Sequence, residues 1–238
     1  MFKEAIQYLV SLKDNKTYEI HGETYSDHPL HRVEPHVDRP ERFEVTGLDS
    51  IVKLIRSEKD MAAQFPIFIR VVNPRTVSVV GSLDEYMSRD YFYRAACDAT
   101  EWVPGWRDQE KAIIELRSMF APTEDVDYLL SLISSISKND GVSSEDNGVS
   151  QTVTATMGVA LKQVVPVKPR VTLAPFRTFL EVEQPASEFI LRLDNNASIG
   201  LLEADGGMWK MEAKKNIVAY FESALKEEID QGAVVVMM

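Results

Sequence analysis

The chain has 238 residues, 45% apolar and 26% charged, and its 26 Lys and Arg against 37 Asp and Glu leave a net charge of −11. This is ordinary globular composition with enough chain for a sizeable core, which excludes collagen, coiled coil and wholesale disorder. Cys97 is the one cysteine, which excludes a disulfide scaffold, and apolar stretches such as Leu129 to Ile133 fall far short of the roughly 20 residues a bilayer needs.

Phe2, Ala5, Ile6, Leu9 and Val10 recur at helical spacing and predict a first helix ending near Lys13-Asp14-Asn15. Glu4 puts an acid where a signal peptide needs net positive charge, so an intracellular setting is expected. Residues 22–41 hold Pro29, Pro35 and Pro40 and predict an extended, irregular segment. Arg42 to Thr46 alternates like a short strand. Thr46-Gly-Leu-Asp49 then resembles a capping box ahead of a stripe of Leu48, Ile51, Val52 and Ile55.

Phe65 to Val72 and Arg75 to Ser82 are apolar runs around Asn73-Pro74, which predicts a β-hairpin with Pro66 at its start. Asp90 to Cys97 suggests a third strand. Ile113, Ile114, Leu116, Met119 and Phe120 form a helix stripe that Asp108 can cap. Val126, Leu129, Leu130, Ile133 and Ile136 form another, capped by Thr123 or Asp125, and together they make a helix pair.

Residues 137–148 are polar and rich in turn formers, which places a linker at 139–148 between parts 1–138 and 149–238. Alternation then marks a strand over 149–157, and further strands are expected at 161–167, 170–174, 187–193, 198–203 and 208–212. Asp194-Asn195-Asn196 and Asp205-Gly206-Gly207 are turn signals. The last helix carries Ile217, Tyr220, Phe221, Ala224 and Leu225, with Glu222 and Lys226 as a surface pair. The pattern is an α+β fold: an N-terminal α/β part with a β-hairpin and helix pair, then a β-rich part closed by a C-terminal helix.

Chemistry-bearing residues are few. His21, His28, His31 and His36 lie close together beside Asp27 and Asp38, but their spacing matches no ligand pattern, and no metal is expected there. Asp205 with Glu212-Ala-Lys214 has the residue types of a magnesium-dependent nuclease, in which carboxylates hold the ion and an ammonium meets developing charge. Glu212 and Lys214 fit a helix start equally well. Glu181 with Glu183, and Glu203 with Asp205, each share one face of an expected strand. Cys97 has no histidine near it in sequence, and no P-loop, dinucleotide fingerprint or nucleophile elbow occurs. No catalytic residue and no cofactor is therefore assigned.

Residues 161–177 hold no acid and four bases, Lys162, Lys168, Arg170 and Arg177, a strip that suits phosphate; solvated edge charge explains it as well. Tyr86, Tyr91, Phe92, Tyr93, Trp102 and Trp106, with Arg89, Arg94 and Arg107 among them, suit either stacked nucleic acid or an apolar core and interface. The acidic balance of the surrounding residues favours the second. The run Val234, Val235, Val236, Met237 and Met238 favours a strand whose edge pairs within its own subunit or with a neighbour.

Two stretches are distinctive: Phe68 to Gly81 followed by Asp90-Tyr-Phe-Tyr-Arg-Ala, and Leu173-Ala-Pro-Phe-Arg-Thr-Phe leading to Ser187-Glu-Phe-Ile-Leu-Arg-Leu. With the helix pair and Ser150-Gln-Thr-Val-Thr-Ala between them, their order resembles the YfdQ-like family of phage and prophage proteins over about residues 40–200. The resemblance implies a phage-encoded accessory protein of the host bacterial cytoplasm and carries over no functional residues. The expected function is non-enzymatic and rests on contacts with a host protein or with further copies of the chain, without a membrane. Nucleic-acid binding is the second reading and metal-dependent hydrolysis the third.

Overall fold

The computed structural model describes residues 16–26, 41–58, 66–84, 87–136, 145–146, 151–157, 161–194 and 196–238, with Lys3, Ile6 and Tyr8. Contacts divide the chain into residues 1–39 and 40–238. In the first unit Lys3, Ile6 and Tyr8 are helical, as the apolar spacing predicts, and the other residues of the expected helix lie outside the described residues. β1 (Thr17–Ile20) and β2 (Glu23–Ser26) form an antiparallel hairpin, so part of the stretch expected to be irregular is a strand. Its turn places His21 and Gly22 at φ of 55° and 84°. His28, His31 and His36 lie outside the described residues.

The second unit is an α+β fold. Its five-stranded sheet runs β14 (Val234–Met237), β4 (Ile67–Asn73), β5 (Thr76–Leu83), β6 (Arg89–Ala96), β3 (Phe43–Val45). The three central strands β4, β5 and β6 are antiparallel, and β14 and β3 join β4 and β6 in parallel. α1 (Leu48–Ser57) and α4 (Trp209–Ala224) cover one face. Leu48, Ile51, Val52 and Ile55 pack there with Ile217 and Phe221 against Ile69, Val79 and Tyr93.

A four-stranded antiparallel sheet runs β11 (Arg170–Leu173), β12 (Ser187–Leu193), β13 (Ile199–Glu203), β7 (Gly105–Arg107). The helix pair α2 (Gln109–Ser118) and α3 (Glu124–Ser135) covers it, with Leu116, Leu129 and Ile133 against Phe189, Leu191 and Leu201. Trp102 stands edge-on to both Phe120 and Phe189, at 5.0 and 5.4 Å between ring centres, a favoured aromatic geometry. β8 (Glu145–Asp146), β9 (Gln151–Met157) and β10 (Leu161–Val167) form a third sheet. It is tied to β12 by Gln151, whose amide donates to the Leu193 carbonyl at 2.6 Å and accepts from the Leu193 N–H at 3.0 Å.

Both caps of the helix pair agree with the sequence: Asp108 accepts from the Lys111 N–H and Thr123 from the Val126 N–H. Four local expectations do not hold. The capping box at Thr46 does not form; the Glu181 carboxylate instead accepts from the Leu48 N–H at 2.7 Å. Glu181 and Glu183 lie in a loop and not on a strand. Residues 208–212 are not a strand, because α4 begins at Trp209. Lys226 pairs with Asp230 at 3.1 Å in place of Glu222, one turn along α5 (Lys226–Asp230).

Most of the expected linker at 139–148 lies outside the described residues, and Glu145–Asp146 within it is a strand. Both large sheets draw strands from either side of it: β7 joins β13, and β14 joins β4. Chain cut at this point is therefore held together by sheet hydrogen bonds and by two shared cores. With a specific protease site inserted between Asn139 and Gly148, cleavage is expected to give two bands on a denaturing gel. The native protein should keep one elution volume in gel filtration, and fragments that elute apart would contradict the interlocked sheets.

Candidate interaction site

Residues 174–186 join the two sheets. The loop starts beside the end of α2, where the Ala121 and Phe176 N–H groups donate to the Ala174 and Met119 carbonyls, both at 2.9 Å. Thr178 Oγ1 then donates to the Pro74 carbonyl in the β4–β5 turn, and Phe179 enters the core of the five-stranded sheet with 1% exposure. Gln184 braces the loop from inside. Its side-chain oxygen accepts from the Arg177 and Thr178 N–H groups, and its amide donates to the Phe179 carbonyl at 2.9 Å. Asn216 of α4 donates to the Glu183 carbonyl at 2.9 Å.

Arg177 is the centre of this loop. Its side chain is 1% exposed, so the expected place on a solvent-facing basic strip is corrected by burial. Nη1 donates to Glu203 Oε1 at 2.7 Å, and Nη2 to Ser187 Oγ at 2.6 Å. The guanidinium lies 4.0 Å from the centre of the Trp209 ring, a cation–π distance. Burial lowers the Arg177 pKa, opposed by Glu203 and Asp205.

Two other bases of the strip are also engaged. Lys168 donates to Asp125 at 2.7 Å and stands 4.6 Å over the Tyr128 ring. Arg170 pairs with Glu188 at 2.8 Å. Lys162 lies on β10 opposite Thr156. The acids beside Lys168, Arg170 and Arg177 compensate the charge of these three bases, which lowers what they offer to a phosphate backbone.

The nuclease constellation does not assemble. Asp205 accepts from the Gly207 and Trp209 N–H groups at 2.9 and 3.2 Å and so starts α4. Gly206 and Gly207 turn there at φ of 63° and 81°, the left-handed region that favours glycine. Glu212 and Lys214 sit on a helix, where residues two apart do not face each other, and Glu212 instead accepts from Lys215 at 3.2 Å. The adjoining cleft of about 520 Å³ is lined by Thr172, Glu188, Asp205, Met208, Trp209 and Glu212. Among the described residues no group of three His, Cys, Asp or Glu side chains could hold a metal ion.

The aromatic cluster divides between core and surface. Trp102 and Tyr93 are buried, and Tyr91 and Trp106 are half exposed. Burial, then the hydrogen bond that Tyr93 donates to Glu58, raises the Tyr93 pKa. Arg107 donates to Glu115 at 2.9 Å, and Arg94 lies 3.4 Å from Glu44. Cys97 is a free thiol packed beside the core of the five-stranded sheet.

The face of the five-stranded sheet opposite α1 and α4, which no helix covers among the described residues, carries a feature that sequence reasoning missed. Register places Val235, Phe68, Val80 and Tyr91 side by side across β14, β4, β5 and β6. Tyr91 is 50% exposed and Val235 38%, whereas Val80 between them is buried and Phe68 half-buried. Arg89 stands 5.0 Å over the Phe68 ring and donates to the Gly81 carbonyl at 2.7 Å. The neighbouring row runs Met237, Arg70, Ser78, Arg94 and Glu44. The row ends on β14, and among the described residues no strand pairs with the far side of β14. The apolar C-terminal run is thus a strand of its own subunit's sheet, with Val234 buried and its outer edge open. Compared with known proteins, the chain matches no family model, no curated protein and no solved structure.

Removing a buried, hydrogen-bonded charge leaves its partners unsatisfied. Arg177→Met is expected to lose on the order of 3 kcal/mol in urea unfolding. Glu203→Gln, which keeps an acceptor at the exposed end, should lose less than half of that; equal losses would contradict a buried arginine held from several sides. Burial raises the Asp205 pKa, but the Gly207 and Trp209 N–H groups, Ser187 and Arg177 lower it more, so it stands below its ordinary value. A depressed carboxylate contributes stability above its unfolded pKa and loses it as pH falls through the folded one. Asp205→Asn should therefore lower the melting temperature at neutral pH, with a difference from wild type that shrinks on acidification below about pH 4. A difference constant down to strong acid would contradict the assignment.

Proposed function

We propose that the protein is a non-enzymatic accessory protein that binds another protein through the uncovered face of its five-stranded sheet. One observation carries this reading: the row of Val235, Phe68, Val80 and Tyr91, apolar across four strands and flanked by arginines. Exposed aromatic side chains beside arginine are what protein interfaces concentrate. Among the described residues Arg70 is exposed, has no hydrogen-bond or ion-pair partner, and adds a charge that a partner's carboxylate can meet on this otherwise acidic protein. The phage-encoded origin implied by the YfdQ-like resemblance fits a host-factor ligand. No helix among the described residues is long and apolar enough to cross a membrane.

Tyr91→Asp with Arg70→Glu alters the exposed face and leaves the helix-covered core untouched. Pull-down from bacterial lysate with mass spectrometry is expected to retain a protein on the wild type that the double variant loses, at unchanged circular dichroism. The same proteins on both, or none above the bait-free control, would overturn this reading.

A further inference from the structure

The outer edge of β14 identifies one partner, an inference that rests on the reading of this sheet as a binding surface. The Ile67 N–H donates to the Ala233 carbonyl at 2.9 Å, and Val235 stands in register with Phe68. In a parallel ladder a strand bonds its neighbour through alternate residues. Ala233, Val235 and Met237 therefore turn their main-chain groups toward β4, and Val234, Val236 and Met238 turn theirs outward. Edge strands are commonly blunted by lysine, proline or a bulge. Residues 233–238 contain none of these side chains, and β14 pairs with β4 without a register shift.

We infer that the open edge of β14 pairs antiparallel with β14 of a second copy, about a two-fold axis through Val236. A two-fold axis perpendicular to the sheet keeps each face on its own side, so residues that stand opposite each other must point the same way. The outward-bonding residues satisfy this condition. Val236 faces Val236 of the second copy and Val234 faces Met238, each pair exchanging both main-chain bonds. Val235 then stands opposite Met237 on the uncovered face. These two side chains are 38% and 37% exposed in the single chain, and pairing covers both.

One segment without charged side chains thus meets the outward main-chain groups of its twin, as an isologous interface requires. A net charge of −11 per copy opposes association elsewhere, and none of that charge sits in the seam. The seam is short against the ~800 Å² per partner of a standard interface, so the dimer forms reversibly with concentration. The apolar row of each copy then continues from Val235 onto Met237 of the other.

Sedimentation equilibrium over a dilution series is expected to show a monomer–dimer equilibrium for the wild type. Val235→Lys with Met237→Lys sets like charges against each other at both ends of the seam and should raise the dissociation constant at least tenfold. Val235→Lys with Met237→Glu sets opposite charges there and should restore the dimer. Should the first double variant melt early, Met237→Lys alone on the half-exposed face reads the same seam. A wild type monomeric at every concentration, or variants that all dimerise alike, would overturn the second-copy pairing. Tyr91→Asp with Arg70→Glu should leave the dimer intact. A monomeric wild type whose lysate partner is still lost by that variant thus refutes the self-pairing alone; a dimer with no lysate partner refutes only the host-factor reading.

Discussion

A buried guanidinium holds this fold to one arrangement. Arg177 is surrounded by Glu203, Ser187 and the Trp209 ring, which come from β13, β12 and the first turn of α4. A charge removed from water is tolerated only where hydrogen bonds and an opposite charge replace the solvent. The surrounding chain must therefore bring those groups together whenever Arg177 is inside. The next residue, Thr178, reaches the β4–β5 turn, and Phe179 fills the second core. Two residues further, Glu181 supplies the cap that α1 lacks locally. One loop thus fixes the four-stranded sheet, the five-stranded sheet and two helices relative to each other within residues 40–238.

This arrangement places the proposed binding surface. α1 and α4 occupy one face of the five-stranded sheet, and the loop holds both of them there through Leu48 and Asn216. The opposite face carries the row from Tyr91 to Val235. α4 leads through α5 to β14, which lies parallel to β4, so the apolar end of the chain becomes a sheet edge. The acids that resemble a catalytic set are spent on structure: Asp205 starts α4, and Glu203 neutralises Arg177.

Elements with strong local patterning were legible in the sequence. The hairpin around Pro74, the α1 stripe and the caps at Asp108 and Thr123 follow from side chains that act on near neighbours. The features that failed depend on distant partners. Nothing near Thr46 indicates that Glu181 caps the helix it precedes. Met208 to Glu212 carries enough apolar character to read as a strand, yet Asp205 and two glycines start a helix there. Arg177 resembles any surface arginine until Glu203 and Trp209 are folded against it. The apolar row on the open face combines residues from four strands, so only the register reveals it; the open run at Val234 to Met238, being contiguous, was visible directly.

The central claim is that the loop at Arg177 makes both cores one cooperative unit. All three tryptophans, Trp102, Trp106 and Trp209, lie in or beside the four-stranded sheet and its junction, whereas Cys97 packs beside the core of the five-stranded sheet. Urea unfolding followed in parallel by tryptophan fluorescence and by thiol labelling of Cys97 reads the two cores separately. A single transition with coincident midpoints is the expected result, and two separated midpoints would contradict the account.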